Sequence, residues 1–534
     1  MTQLDLATLH EAIADALPDE PCIIAHDRTW SWAATTDRTR RFSAVLRGHS
    51  LGRRAPEAER WPWETGQDHL GILLHNGPEY LEALLGAHKA SLATFNINYR
   101  YTADELEYLF SDARPAALVY GATFAPMVAQ VLPRLDAQPL LVQVADASGE
   151  LLLDGALDYE EALAMADPAQ GAPSTSPDDH YLLYTGGTTG MPKGVIWRVG
   201  DMVHGPFGVK RRDGSPIESV DEAVQRALTM RGRVLPAPPL MHGAGAGIAL
   251  GGWLGGGTVV FQPDPSRFDA ATLLDTCAKE QVTTLMIVGD AFGAPLVQEL
   301  EHAPRELSLQ LLVNAGAALR DDLKDRLKEL VPGLRITDML GSSESGVHAR
   351  RESEGKRFDG RGSVTVLSDD RSRLLEPGSD EVGWMASTGN IPLGYLGDEE
   401  KTNATFVNVD GRRYSVPGDR ARRLADGSIE FLGREATTIN TGGEKVFADE
   451  VEAVLRALDG VVDAVVLGRE SERWGQEVVG LVELSAEVSD ETLRAGCRAS
   501  LAGYKVPKDF IRVDRIGRHA NGKVDYRWAK GALT

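Results

Sequence analysis

The chain is expected to be an α/β protein of more than one domain, and three observations predict this. Short apolar runs alternate with stretches of helical apolar spacing over the first two thirds, the rhythm of a parallel sheet with helices on its faces. After about Gly360 that rhythm gives way to short strands separated by turn signals. The length, 534 residues, is too great for one compact core.

Residues 4–17 have the apolar spacing of a helix, which Pro18 ends. Residues 70–74 and 116–120 are short apolar runs that predict buried strands, and the helical pattern over 79–92 follows the first of them. Two polar or proline-rich stretches, 53–67 and 211–222, read as surface insertions. The β-then-α rhythm resumes with a strand at 284–288, a helix near 292–301 and a strand at 311–313. A β-rich subdomain follows, with a strand at 364–367 and turn signals at Asp410, Gly411, Asp426 and Gly427. Beyond Gly433 come a helix near 448–458, strands at 461–467 and 478–484, and a helix over 490–501, enough for a small α+β domain of about one hundred residues. The expected division is a large N-terminal part, residues 1–433, of layered α/β subdomains plus the β-rich one, and a small, mobile α+β C-terminal part, 434–534.

Composition narrows the function. The formal net charge is -22, and an acidic surface of that size repels phosphodiester backbones, so nucleic acid is not an expected partner. Cys22, Cys277 and Cys497 stand far apart with no C-x-x-C spacing, which suggests neither disulfides nor zinc and points to a reducing cytoplasm. The first ten residues carry no basic and apolar leader. Between Val234 and Pro263 the only charged or titratable side chain is His242, but prolines crowd one end and glycines the rest. A spanning helix needs about 20 mostly apolar residues. Buried loops, a short packed helix and a strand suit this stretch better, as pocket wall, and no integral membrane segment is expected.

Residues 184–194 read Tyr-Thr-Gly-Gly-Thr-Thr-Gly-Met-Pro-Lys-Gly, between apolar runs at 181–183 and 195–197. Glycines let backbone N–H groups fold round an anion. Thr185, Thr188 and Thr189 add hydroxyls and Lys193 adds a charge, which together are parts for holding polyphosphate. The segment is not a Walker A loop, because Lys193 follows proline and no Ser or Thr follows it.

This segment resembles the phosphate-binding signature of the adenylate-forming superfamily: acyl-CoA synthetases, peptide-synthetase adenylation domains and firefly-type luciferases. Further signatures in the right order extend the resemblance over nearly the whole chain. The wording at 184–197, 239–244, 340–346, 433–446, 502–507 and 525–530 is most similar to actinobacterial synthetases of steroid side-chain acids.

The resemblance implies an ATP-dependent acyl-CoA ligase of lipid or steroid metabolism, with ATP, Mg²⁺ and coenzyme A as cofactor and co-substrates and a bulky sterol-derived or long-chain carboxylic acid as substrate. Medium-chain and aryl acids, and an acyl-AMP ligase that donates to a carrier protein, are the alternatives. Thr185, Gly186, Gly187, Thr188, Thr189, Gly190 and Lys193 would hold phosphates, and Glu344 within Gly341-Ser342-Ser343-Glu344 would carry Mg²⁺. Gly316, Ala317 and Ala318 would lie against adenine, Asp338 would take its amino group, and Leu340 stands where an aromatic residue is usual. Asp419 would accept the ribose hydroxyls, and Arg434, in the hinge segment 433–436, would contact the nucleotide. Ala436 replaces the usual Asp. Gly442, Gly443 and Lys445 would line the path of coenzyme A, and Lys523 would be the catalytic lysine, with Glu344 and Thr189 assisting. Met241, His242, Gly243, Gly289 and Asp290 are the expected acyl-pocket wall. The C-terminal domain would rotate to exchange Lys523 for the Gly442–Gly443 loop between two half-reactions. Luciferase-like oxidation and a catalytically dead acyl binder are rivals that substrate-dependent AMP release would separate, and a homo-oligomer stays open.

Overall fold

The computed structural model of the chain describes residues 4–53, 60–187, 190–211, 213–351, 357–358, 363–434, 437–441, 444–471, 475–501, 503–519 and 522–533. They form two compact units: residues 1–347 with 390–406, and residues 348–389 with 407–534.

The first unit opens with the helix Leu6–Ala16, capped by Asp5, whose side chain accepts from the Thr8 N–H at 2.8 Å. Leu6, Leu9 and Ile13 fall on one face and are buried. Behind it stand two eight-stranded sheets. In one, the strands Arg335–Ser342, Leu311–Ala315, Thr284–Ile287, Arg233–Pro236, Thr258–Val260 and Pro21–Ala25 lie side by side and parallel, and Arg28–Ser31 turns back along the last. In the other, Ala93–Asn96, His69–Leu73, Ala117–Gly121, Leu140–Val144 and Leu157–Asp158 run parallel beside an antiparallel pair, His180–Gly187 and Gly190–Arg198. Continuous apolar strands such as Leu118, Val119 and Tyr120 are buried on both faces, as parallel sheets require.

The glycine-rich stretch 234–263 becomes the strand Arg233–Pro236, the helix Gly243–Leu254 and the strand Thr258–Val260. Among the described residues no helix is long and apolar enough to cross a membrane.

The second unit has a seven-stranded antiparallel sheet, in which Ile429–Arg434, Asp419–Arg423, Gly383–Thr388 and Arg412–Ser415 are consecutive neighbours. The turns at Asp410-Gly411 and Asp426-Gly427 fall where expected. A five-stranded sheet pairs Val461–Ser471 with Gly475–Leu484, and the helices Ala448–Arg456 and Asp490–Ser500 pack on it around Val451, Leu455, Val466, Val482, Leu493 and Phe510. The boundary expected at 433/434 falls inside this unit. The strand Ile429–Arg434 pairs with its neighbour up to its last residue, Asp419 opposite Arg434, and so belongs to the β-rich sheet throughout.

Candidate active site

In the first unit the glycine- and threonine-rich segment 184–194 lies between paired strands. The flanking strands run inward to Gly187 and Gly190, pairing Thr185 with Lys193 and Gly187 with Gly190, with an irregularity between Thr185 and Gly187. Pairing satisfies backbone groups that an open loop leaves to water. Thr188 and Thr189 lie outside the described residues, as does the side chain of Thr185. The base of the hairpin is close-packed: a Cβ on Gly194 would lie 2.7 Å from the Tyr184 ring, so only glycine fits there. The Tyr184 hydroxyl donates to Asp112 Oδ2 at 2.6 Å, and burial pushes both groups above their usual pKa ranges.

Lys193 Nζ donates to Asp398 Oδ2 at 2.8 Å. That bond raises the lysine's pKa, so it stays charged. Burial opposes ionisation of Asp398, but the Lys193 bond and the Lys401 N–H outweigh it and hold this carboxyl below its usual range. The same segment reaches Glu344, whose Oε1 accepts the Tyr395 hydroxyl at 2.8 Å. Lys401 Nζ lies 4.1 Å above the Tyr395 ring. Tyr395 sits in the short strand Gly394–Tyr395, which pairs with the return strand of the hairpin through Gly394–Ile196 and Tyr395–Val195. Trp197 Nε1, also on that return strand, donates to the Ser343 carbonyl at 2.8 Å. Lys193, Ser343 and Glu344 are thus fastened through one hairpin and the segment 394–401. Neither Tyr395 nor Asp398 was a candidate, because a Gly-Tyr dipeptide and a helix-capping Asp carry no signal of their own.

The strand end Leu311–Ala315 forms a second cluster. Asn314 Oδ1 accepts the Gly289 N–H at 2.7 Å, and its Nδ2 donates to the Ala317 carbonyl at 3.0 Å and Asp338 Oδ1 at 2.9 Å. Lys324 Nζ donates to Asp338 Oδ2 at 2.8 Å. The 316–318 turn and Asp338 are therefore oriented by one amide. Gly289 has φ +55°, and a Cβ there would come within 2.6 Å of the Ala318 carbonyl oxygen. Asp290, expected on the acyl wall, gives its carboxylate to Arg320: Oδ1 accepts the Arg320 N–H at 2.9 Å and Oδ2 lies 3.1 Å from its Nε. It ties the helix Gly289–His302 to the start of Asp321–Leu330. Leu340 and Gly341 lie on the adjacent strand Arg335–Ser342, with Ser342 Oγ 2.9 Å from Ser345 Oγ.

The remaining acyl-wall candidates begin the helix Gly243–Leu254, for which His242 is the N-cap position. Met241 is buried. Two asparagines absent from the candidates hold this segment. Asn96, itself buried, donates to the carbonyls of Met241 and Tyr184 and accepts the Tyr184 N–H at 3.0 Å. Asn76 donates to the Pro238 carbonyl at 3.0 Å and accepts the Leu240 N–H at 2.6 Å. The half-buried positions of the helix are Gly243, Ala244, Gly247, Gly251 and Gly252 together with the larger Ile248, and a Cβ on Gly247 would meet nothing within 4 Å.

In the second unit, Asp419 and Arg434 stand directly opposite on paired strands, with Arg434 Nε 3.4 Å from Asp419 Oδ1. Asp419 is 4% exposed and Arg434 46%. Lys523 is exposed on a tight turn, in which the His519 N–H donates to the Lys523 carbonyl and the Gly522 N–H to the His519 carbonyl, both at 2.8 Å. Gly442, Gly443 and Ala436 lie outside the described residues, and Lys445 is described only as backbone in the strand Glu444–Phe447. Among the described residues there is no group of three or more metal-binding side chains, so a cation at Glu344 would take its other ligands from phosphate and water, the usual habit of Mg²⁺.

Comparison with known proteins identifies the family. The AMP-binding enzyme family model matches residues 10–383 and the AMP-binding enzyme C-terminal domain matches 450–523. The chain belongs to the AMP-binding enzyme family. It is 43% identical to the medium-chain acyl-CoA ligase Mig of Mycobacterium avium over 99% of this chain and 98% of that protein. It is 37% identical to a 3-oxocholest-4-en-26-oate–CoA ligase of Rhodococcus rhodochrous over 99% and 95%. Among solved structures, the anthranilate CoA ligase AuaEII with anthranoyl-AMP shares the fold at a TM-score of 0.81 and 20% identity, covering 100% of this chain and 98% of that one. ATP-bound MatB of Rhodopseudomonas palustris does so at 0.80 and 24%, covering 99% of each.

Proposed function

We propose that the protein is an ATP-dependent acyl-CoA ligase that forms an acyl-adenylate and then an acyl-CoA thioester. The observation that carries this reading is its full-length similarity, at 43% and 37%, to proteins named medium-chain acyl-CoA ligase and 3-oxocholest-4-en-26-oate–CoA ligase. An oxygen of the substrate carboxylate attacks the α-phosphorus of ATP as the bond to pyrophosphate breaks. The thiol of coenzyme A then attacks the acyl carbon and AMP leaves.

No protein nucleophile is needed. The residues position the reactants and balance charge. Lys193 exchanges Asp398 for phosphate oxygens, Asp338 receives the adenine amino group beside Gly316, Ala317 and Ala318, and Asp419 accepts the ribose hydroxyls. Arg434 contacts the nucleotide, and Lys523 steadies charge during adenylation. Glu344 is a hard carboxylate suited to Mg²⁺, which would neutralise phosphate charge when bound. Residues 440–445 serve the second half-reaction, passing the pantetheine arm. The small C-terminal domain that carries Lys523 thereby serves both steps.

The substrate class is an aliphatic acid of medium length or longer, sterol side-chain acids included. The small residues along Gly243–Leu254 support a wide acyl group. The test is mass-spectrometric detection of acyl-CoA after incubation with ATP, Mg²⁺, coenzyme A and a pool of fatty, sterol side-chain and aryl acids. The expected outcome is an acyl-CoA of an aliphatic acid. Acyl-adenylate without thioester would replace this reading with a carrier-dependent ligase, and exclusive turnover of aryl acids would overturn the substrate class.

A further inference from the structure

We propose that Arg518 and Asp463 are positioning residues for Lys523, fixing the peptide that carries it to the five-stranded sheet. This rests on the reading of Lys523 as the adenylation lysine. An exposed lysine has four flexible bonds beyond its Cα, so the placement of its ammonium depends first on how firmly its backbone is held. Backbone bonds link His519 to Lys523 and Gly522 to His519. Arg518 supplies the anchor. Its Nη1 donates to the Gly522 carbonyl at 2.9 Å, the oxygen of the peptide that enters Lys523.

The other edge of the same guanidinium forks onto Asp463, Nε to Oδ2 at 2.7 Å and Nη2 to Oδ1 at 2.9 Å. A two-point bond between planar groups fixes direction as well as distance. Asp463 belongs to the strand Val461–Ser471, at a register irregularity where it accepts the Ala464 N–H at 2.8 Å. A second cation, Arg456 Nε, lies 3.3 Å away. Arg456 in turn donates to Glu452 Oε2 at 2.6 Å, and Glu452 Oε1 accepts the Val466 N–H at 2.9 Å with the residue 3% exposed. Alternating charges Glu452, Arg456, Asp463 and Arg518 thus lead from the buried face of one helix, across the sheet, to the Lys523 peptide.

Charge alone is not what this arrangement supplies. A lysine at 518 keeps the charge but cannot bond a carboxylate at two points and a carbonyl at a third. A displacement of about 1 Å at a reacting group costs on the order of 100-fold in rate. The experiment measures two half-reactions of the full-length protein: acid-dependent pyrophosphate release, and thioester formation from supplied acyl-adenylate and coenzyme A. Arg518→Met and Arg518→Lys are each expected to slow the first by about 10- to 100-fold and to leave the second within about 2-fold. Asp463→Asn, which keeps volume, is expected to show a smaller loss of the same selectivity. Arg518→Met is expected to add nothing to Lys523→Ala, because it acts only through that lysine.

Equal loss of both half-reactions, full rescue by Arg518→Lys, or independent losses in the double variant would overturn the positioning role. If Lys523→Ala slows adenylation while Arg518→Met does not, only this proposal fails. If Lys523→Ala leaves adenylation intact, the lysine's own assignment fails and takes this one with it.

Discussion

The two compact units hold their candidate residues by different means. In the first, buried amides grip backbone alongside ion pairs: Asn96 holds Tyr184 and Met241, Asn76 holds Pro238 and Leu240, and Asn314 holds Gly289, Ala317 and Asp338, while Lys193 pairs with Asp398, Asp290 with Arg320 and Asp338 with Lys324. In the second, the holding groups are charged, with Arg434 on Asp419 and the chain from Glu452 to Arg518. Amide clamps are indifferent to salt and titrate at no working pH, but each leaves several buried backbone groups orphaned if removed. Ion pairs that are partly exposed are screened and individually weak. One unit is thus expected to fail through packing and desolvation, the other through geometry at a charged joint.

Acid separates the units most. The first buries His10 between Trp32 and Trp253, 4.9 Å from each ring, and buries His88 and His180. Burial lowers all three imidazoles, His88 and His180 to about 4. The folded unit keeps them neutral while an unfolded chain takes up protons below its ordinary value of about 6.5. Their contribution is therefore complete above about pH 6.5 and lost as pH falls toward 4. Urea unfolding of the first unit is expected to weaken over that window by about 2–3 kcal/mol for each of His88 and His180. His88→Gln and His180→Gln should flatten the slope. A flat profile in the wild type would remove the distinction.

Asn96→Ala comes next. It strips partners from the Tyr184 N–H and carbonyl and from the Met241 carbonyl, at a cost of about 3 kcal/mol, read as a lowered urea midpoint with an unchanged slope. Gly289→Ala is expected to cost less, about 1–2 kcal/mol, from positive φ and the approach to Ala318, and to weaken ATP binding by calorimetry. Smallest is salt: 1 M NaCl should lower the stability of either unit by less than about 1 kcal/mol, because both carry partly exposed ion pairs such as Lys193–Asp398 and Arg434–Asp419.

What was legible in advance follows the same line. The β-then-α rhythm placed 70–74, 116–120, 284–288 and 311–313 because parallel strands are apolar on both faces. The segments 184–194 and 341–344 stood out because they concentrate Gly, Ser and Thr at consecutive positions, and the roles given to them are those of the proposed function. Asn76, Asn96 and Asn314 were not legible as clamps. A buried amide is recognised by the distant backbone it bonds, and Asn96 meets Tyr184 and Met241 across 88 and 145 residues. Tyr395 and Asp398 were missed for the same reason, since Glu344 and Lys193 lie 51 and 205 residues away. The boundary near 433 was set by a hinge signature, whereas compactness follows strand pairing, which runs through Arg434.

The central claim is that Lys523 serves adenylation and not thioester formation. The most direct test is to assay the two half-reactions of Lys523→Ala separately, with an acid shown to be turned over by the wild type. Acid-dependent pyrophosphate release is expected to fall by about 2–3 orders of magnitude, while supplied acyl-adenylate still yields acyl-CoA at close to the wild-type rate. Equal loss of both, or retention of pyrophosphate release, would contradict it.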